Sequence, residues 1–111
     1  MTAVTGSCHC GAVRYAVAYA PTEINDCQCT HCQKRGVLWA YYEPGDVTVS
    51  GASSTYMWGD RTTVFHFCPT CGCTTHWVAA GPTPDRVGIN TRLLPPEAAA
   101  GATVRRSPGP L

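Results

Sequence analysis

The most reactive part of this sequence is a stretch with three cysteines, Cys27-Gln28-Cys29-Thr30-His31-Cys32, followed closely by the cations Lys34 and Arg35. Thiolates bind Zn²⁺ in tetrahedral sites, and catalytic zinc sites have three protein ligands and one open position. The stretch therefore predicts a zinc ion with one open position. Such a site suits the capture of an external thiol, because a thiol held as thiolate is the competent nucleophile. The two cations are placed to offset the charge of the site or to steer an anionic substrate.

Two cysteine pairs flank this stretch and predict an enclosed zinc site. In Cys68-Pro69-Thr70-Cys71-Gly72, proline presets a bend and glycine permits a positive φ after the second ligand. Cys8 and Cys10 face the same side of an extended chain, because side chains alternate along a strand. Each pair supplies half of a Cys₄ site. The ion would tie the first strand to the second half of the chain, so we expect chelation to unfold the protein.

The residues leave three alternatives open. Spacing alone does not say which cysteine pairs share an ion, and the same cysteines could serve thiol redox chemistry without a metal. A fourth protein ligand could also close the three-cysteine site. The candidates for that ligand are Cys73, which is the main suspect, and His31, His66 and His76. Otherwise we expect His66 and His9 to face solvent.

Composition indicates one small domain in a reducing compartment. The chain has 111 residues, eight cysteines and a net charge of +1, so no strongly charged polyanion partner is implied. The N-terminus has no basic region followed by an apolar core, and no apolar run reaches the roughly 20 residues that span a bilayer. We therefore expect a cytoplasmic protein without membrane contact, in which clustered cysteines are metal ligands and not disulfides.

Short apolar runs with period two, separated by turn signals, predict an all-β domain. The domain is expected to span residues 1–95, and residues 96–111 are expected to form a loosely packed C-terminal tail with one helical turn. The three-cysteine stretch is too dense in ligands for a regular element, apart from one helical turn near residues 30–35. An exposed edge strand would permit a homodimer. Strands are predicted over residues 2–10, 13–19, 37–42, 47–50, 55–58, 61–67, 74–79 and 87–94.

Some other side chains have both a functional and a structural interpretation. Trp39, Tyr41 and Tyr42 follow the three-cysteine stretch and could wall a pocket, although such aromatics more often form core. Arg92, which lies near Asn90, could bind a carboxylate through its planar guanidinium or form a structural salt bridge.

Four motifs occur in the order found in a known family. They are Gly6-Ser7-Cys8-His9-Cys10-Gly11-Ala12-Val13-Arg14-Tyr15, Cys27-x-Cys29-x-x-Cys32-x-Lys34-x-Gly36, Phe67-Cys68-x-x-Cys71-Gly72 and Asn90-Thr91-Arg92-Leu93-Leu94. Over residues 6–94 the chain resembles the glutathione-dependent formaldehyde-activating enzyme family, which also includes centromere protein V. The resemblance implies a zinc-bound β-tent of small antiparallel sheets with two zinc ions. It implies that Cys8, Cys10, Cys68 and Cys71 hold a structural zinc and that Cys27, Cys29 and Cys32 hold the active one.

The resemblance also implies an activity. The founding reaction joins formaldehyde to glutathione to give S-hydroxymethylglutathione, so we expect a carbon–sulfur lyase-type enzyme whose partners are a small-molecule thiol and an aldehyde. The alternative is a non-catalytic zinc module that binds protein or nucleic acid, although no nucleic-acid partner is expected. The ligand count around Cys27, Cys29 and Cys32 separates the two hypotheses, because a fourth protein ligand would favour the module.

Overall fold

The structure is a computed structural model that describes residues 3–82 and 84–108, and short β-strands dominate it. The strands are β1 (Val4–Ser7), β2 (Arg14–Val17), β3 (Glu23–Cys27), β4 (Trp39–Tyr42), β5 (Val47–Ser50), β6 (Ser54–Tyr56), β7 (Thr63–Phe67), β8 (Thr74–Ala79), β9 (Val87–Asn90) and β10 (Thr103–Ser107). The helices are α1 (Thr30–Arg35) and α2 (Pro96–Ala99), and Pro44–Asp46 and Thr91–Leu93 form 3₁₀ turns. The predicted all-β class is confirmed.

The strands form two sheets of different size. The smaller sheet has the order β1-β2-β5 and is antiparallel throughout. The larger sheet has seven strands in the order β10-β3-β4-β9-β8-β7-β6. It is mixed, because β10 pairs with β3 in the parallel direction.

The main core joins β2 of the small sheet to β4 and β9 of the large one. Tyr15 and Val17 alternate inward from β2, as the period-two pattern predicts, and pack with Tyr42 and Ile89. Burying each such side chain contributes about 1.5–3 kcal/mol. The Tyr15 hydroxyl donates to the Asn90 carbonyl at 2.8 Å, which ties the two sheets together beside the end of β9.

The strand β9, which ends at Asn90, is shorter than predicted. The sequence predicted a strand over residues 87–94, whereas β9 ends at Asn90 and a 3₁₀ turn follows. The reason is local, because the Asn90 side chain accepts from the backbone N–H of Arg92 at 3.2 Å and starts the turn. Its amide also donates to the Thr74 carbonyl at 2.8 Å, so Asn90 fastens β9 to β8.

The prediction of a loose C-terminal tail is wrong for residues 103–107. These residues form β10 and pair with β3 over its whole length. The Gln28 N–H donates to the Ser107 carbonyl at 2.8 Å, and Arg105 forms an ion pair with Glu23 at 2.7 Å. The sequence did not show this strand because its order comes from backbone pairing, and its apolar residue Val104 is exposed. Residues 109–111 lie outside the described part of the chain, and the domain boundary at residue 95 stays a prediction.

We expect removal of β10 to destabilise the whole domain. A chain that stops at Ala102 exposes the edge of β3, the strand that ends in Cys27. Several ladder hydrogen bonds at about 1 kcal/mol each would be lost. Thermal unfolding followed by circular dichroism should show Tm lowered by at least about 5 °C. A chain that stops at Ser107 is the matched control and should melt like the full chain; equal melting of both truncations would contradict the prediction.

Candidate metal centres

The first cysteine group brings together the two pairs that flank the central stretch. The sulfurs of Cys8, Cys10, Cys68 and Cys71 all lie within 4.8 Å of one another. Two of the separations are 3.7 Å, between Cys8 and Cys10, and 3.6 Å, between Cys10 and Cys68. Sulfurs at the corners of a tetrahedron with Zn–S bonds of about 2.3 Å lie about 3.8 Å apart. The group therefore has the composition and the size that fit one zinc ion.

Backbone N–H groups stabilise negative charge on the sulfurs of this first group. The Cys68 sulfur accepts from Thr70 N at 3.4 Å and from Cys71 N at 3.5 Å, within the predicted tight turn. Gly72 takes φ of 85° there, as expected for the residue after the second ligand. The backbone N–H of Cys73 lowers the pKa of Cys71 to about 5, which favours the thiolate that binds a metal.

Cys73 belongs beside the first group and not at the three-cysteine site. Its side chain packs against the cluster of Cys8, Val13 and Cys68. Its carbonyl accepts from the Cys68 N–H at 2.9 Å. Cys73, the main suspect in the alternative of a closed three-cysteine site, is therefore not part of that group.

The second group consists of Cys27, Cys29 and Cys32, whose sulfurs also lie within 4.8 Å of one another. All three are buried, with 7%, 3% and 4% of their surface exposed. The helical turn expected near residues 30–35 is α1, whereas the expectation that the rest of the stretch is irregular is wrong for Cys27, which lies in β3. Cys27 ends β3, Cys29 is the N-cap of α1, and Cys32 lies in the first turn of that helix.

Hydrogen-bond donors face the sulfurs of the second group. The Cys32 N–H donates to the Cys29 sulfur at 3.4 Å, and the Trp39 indole N–H donates to the Cys32 sulfur at 3.2 Å. Burial raises the pKa of Cys32, so a bound cation is needed to hold all three thiols ionised together. Three sulfur ligands whose negative charge is stabilised by N–H groups fit a zinc ion, and they leave its fourth tetrahedral position open.

No fourth His, Cys, Asp or Glu joins the second group among residues 3–82 and 84–108. His31 is buried and its ring packs against Phe65 at an interplanar angle of 33°, with 3.9 Å between centroids, although its Nδ1 lies 3.8 Å from the Cys32 sulfur. His66, expected to face solvent, is half-buried and stacks on His76 at 4.3 Å. The Nδ1 atoms of these two rings contact the hydroxyls of Ser53 and Thr75, respectively, at 2.8 Å.

The three thiols line a cavity of about 220 Å³. Five aromatic side chains line it, namely Trp39, Tyr41, Trp58, Phe65 and Trp77. The polar residues that line it are Asn25, Asp60, Thr62, Thr63, Arg86 and Ser107. A larger groove of about 460 Å³ runs along β3 and β10, and it shares Asn25, Tyr41 and Ser107 with the cavity.

The aromatic residues singled out in the sequence divide between the cavity and the core. Trp39 and Tyr41 line the cavity, as the pocket interpretation requires. Tyr42 lies on the opposite face of β4 in the main core, and its hydroxyl donates to the Tyr19 carbonyl at 3.0 Å. Trp58 and Trp77 were missed, because they come from loops and strands that only the folded sheet brings to the cysteines.

The cation that lines the cavity is Arg86, which the sequence did not single out. Its guanidinium lies over the rings of Tyr41, at 5.0 Å, and Trp77, at 5.8 Å. Arg35 instead covers Tyr56 at 5.2 Å, outside the residues that line the cavity. Arg92 forms no salt bridge within the described residues, and its Nε donates to the Gly36 carbonyl at the end of α1.

Comparisons with known proteins agree with the sequence motifs. The sequence model of the family described as glutathione-dependent formaldehyde-activating enzyme matches residues 3–104. A crystal structure of a Rhodobacter sphaeroides protein is similar at 32% identity and a TM-score of 0.75, covering 93% of this chain and 99% of that one. The chain belongs to the glutathione-dependent formaldehyde-activating enzyme family. None of the described helices is long and apolar enough to cross a membrane.

Gly88 is expected to be essential for the shape of the cavity wall. In the sheet it lies directly between Tyr41 and Trp77, and a Cβ at this position would meet the Trp77 Nε1 at 2.0 Å. Gly88→Ala should therefore displace the indole and lower the free energy of unfolding by about 1–3 kcal/mol, measured by urea titration. Gly45→Ala is the control, because a Cβ there meets no atom within 4 Å. Equal stability of the two variants would show that the indole moves without strain.

Proposed function

We infer that this protein is a zinc-dependent carbon–sulfur lyase-type enzyme that adds a thiol, glutathione in the first instance, to a small aldehyde such as formaldehyde. In this proposal Cys27, Cys29 and Cys32 hold the active zinc, and the other ligand group holds a structural zinc. The observation that supports it most is a three-thiol group that opens on a cavity and has no fourth ligand among the described residues. By the ligand-count criterion, this geometry favours an enzyme over a non-catalytic module.

The zinc ion and the protein side chains have different roles in the proposed reaction. When bound, zinc supplies an open position at which an external thiol is held as thiolate. The N–H groups of Cys32 and of the Trp39 indole stabilise negative charge on the protein sulfurs, and the aromatic wall limits access of water. The substrate sulfur bonds to the aldehyde carbon while the carbonyl electron pair moves to oxygen. That oxygen takes up one proton for the one that the thiol lost, so no oxidant or reductant is required.

The size of the cavity indicates how a peptide thiol would be accommodated. About 220 Å³ is below the roughly 300–1,000 Å³ of cavities that enclose drug-sized ligands. The cavity can enclose the reacting sulfur and a small aldehyde, and the remainder of a tripeptide would extend into the adjoining groove. Asn25, Tyr41 and Ser107 line both spaces and would border this passage.

Exchange NMR with glutathione and formaldehyde tests the proposed activity, because it measures adduct formation at equilibrium against the uncatalysed rate. We expect zinc-loaded protein to accelerate the exchange in proportion to its concentration. The same protein with Cys29→Ser serves as the control for catalysis by contaminating metal. An exchange rate equal to the uncatalysed rate at every protein concentration would contradict the proposed reaction.

A further inference from the structure

Arg86 is held at the cavity by a specific arrangement of three strands. It lies two residues before Gly88, so the two positions share one face of the sheet. Gly88 pairs with Tyr41 on one side and with Trp77 on the other, and its missing side chain leaves these two rings 5.7 Å apart. The guanidinium covers both rings. Cation–π attraction holds the guanidinium beside these rings, and the group carries five N–H donors.

The charge of Arg86 is not neutralised by a neighbouring carboxylate in the described part of the chain. The ion pairs found within residues 3–82 and 84–108 are those of Arg105 with Glu23 and of Arg106 with Asp26. The cavity also contains Asp60, but its Oδ1 accepts from the hydroxyl of Thr62 at 2.9 Å. A guanidinium therefore lines the thiol cavity with its donors available for a ligand.

We propose that Arg86 binds a carboxylate of the thiol substrate, so that the site selects thiols that carry a carboxylate over neutral thiols. This proposal rests on the proposed function and adds the residue that determines its specificity. A guanidinium matches a carboxylate through two parallel N–H···O bonds, which an ammonium group does not reproduce. Arg86→Lys should therefore retain only part of the preference, and Arg86→Gln should retain none.

The test compares glutathione with its diethyl ester, which keeps the thiol and has no carboxylate. With formaldehyde as the aldehyde, wild-type kcat/KM should favour the acid by about tenfold or more, the factor expected for a hydrogen bond between charged groups. Arg86→Gln should raise KM for the acid until kcat/KM is the same for the acid and the ester. Arg14→Gln removes an equal charge from an exposed position that lines neither the cavity nor the adjoining groove, and it should keep the preference.

A binding measurement separates failure of this proposal from failure of the proposed reaction. The S-methyl derivatives of the same two compounds cannot react, and their binding can be followed by fluorescence of Trp58 and Trp77 in the cavity wall. Wild-type protein should bind S-methylglutathione more tightly than its diethyl ester, and Arg86→Gln should bind both equally. A preference that survives in Arg86→Gln, or an equal loss of both ligands in that variant, would overturn the role of Arg86 whether or not turnover occurs.

Discussion

Replacing Cys29 by serine is expected to remove one of two bound zinc equivalents and to lower thiol–aldehyde turnover at least about a hundredfold. Residues that only support the ligands of a metal site can already cause a loss of about this size when they are mutated. Cys29 is 3% exposed and its sulfur lies in the three-thiol group. Serine keeps an oxygen that can cap α1, so the helix start is preserved while a soft ligand is lost. Zinc content by mass spectrometry of metals and exchange NMR check both parts.

Cys73→Ser is the matched control for this variant. Cys73 is also a cysteine without a disulfide, but its side chain packs beside the other ligand group and joins neither candidate metal site. Both zinc equivalents and full turnover should remain in Cys73→Ser. If Cys29→Ser retained two zinc equivalents and wild-type turnover, the three-thiol group would not be the active site.

Removal of the enclosed zinc is expected to unfold the domain. The first ligand group joins residues near β1 to the turn between β7 and β8, and neither half could hold an ion alone. Structural zinc contributes about 10–16 kcal/mol in small zinc domains. This contribution is as large as the whole free energy of unfolding of a typical protein, which is roughly 5–15 kcal/mol. A strong chelator should therefore abolish the near-ultraviolet circular dichroism signal, and added zinc should restore it.

Cys68→Ser tests the same claim without a chelator. Cys68 is fully buried and accepts two backbone N–H groups, so its loss removes a ligand at the centre of the group. The variant should fail to give a cooperative thermal transition, whereas Cys29→Ser should still melt cooperatively. A Cys68→Ser protein with wild-type Tm would contradict a structural role for this site.

The spacing of the cysteines predicted two ligand pairs and a three-cysteine stretch, because ligand spacing is a local property, whereas the family resemblance implied which cysteines share an ion. Pro69 and Gly72 define the turn around Cys68 and Cys71, and the observed hydrogen bonds follow from that turn. The strand β2 was predictable for the same reason, since alternation of Tyr15 and Val17 directly reflects one buried face.

Features that depend on strand pairing could not be predicted in this way. The parallel pairing of β10 with β3 is a backbone interaction between segments far apart in sequence. Arg86 reaches the cavity only because β9 lies between β4 and β8, with Gly88 opposite both Tyr41 and Trp77. His31 looked like a ligand from its position, whereas the contact of its ring with Phe65 comes from the distant strand β7.

The central claim is that the zinc at the three-thiol group has one position open to an external thiol. Zinc K-edge X-ray absorption of the fully loaded protein measures it most directly, because it counts the sulfur neighbours averaged over both ions. With one four-sulfur and one three-sulfur site, the average should be about three and a half, rising to about four with saturating glutathione. An average of four before glutathione is added, or no change on its addition, would contradict an open site.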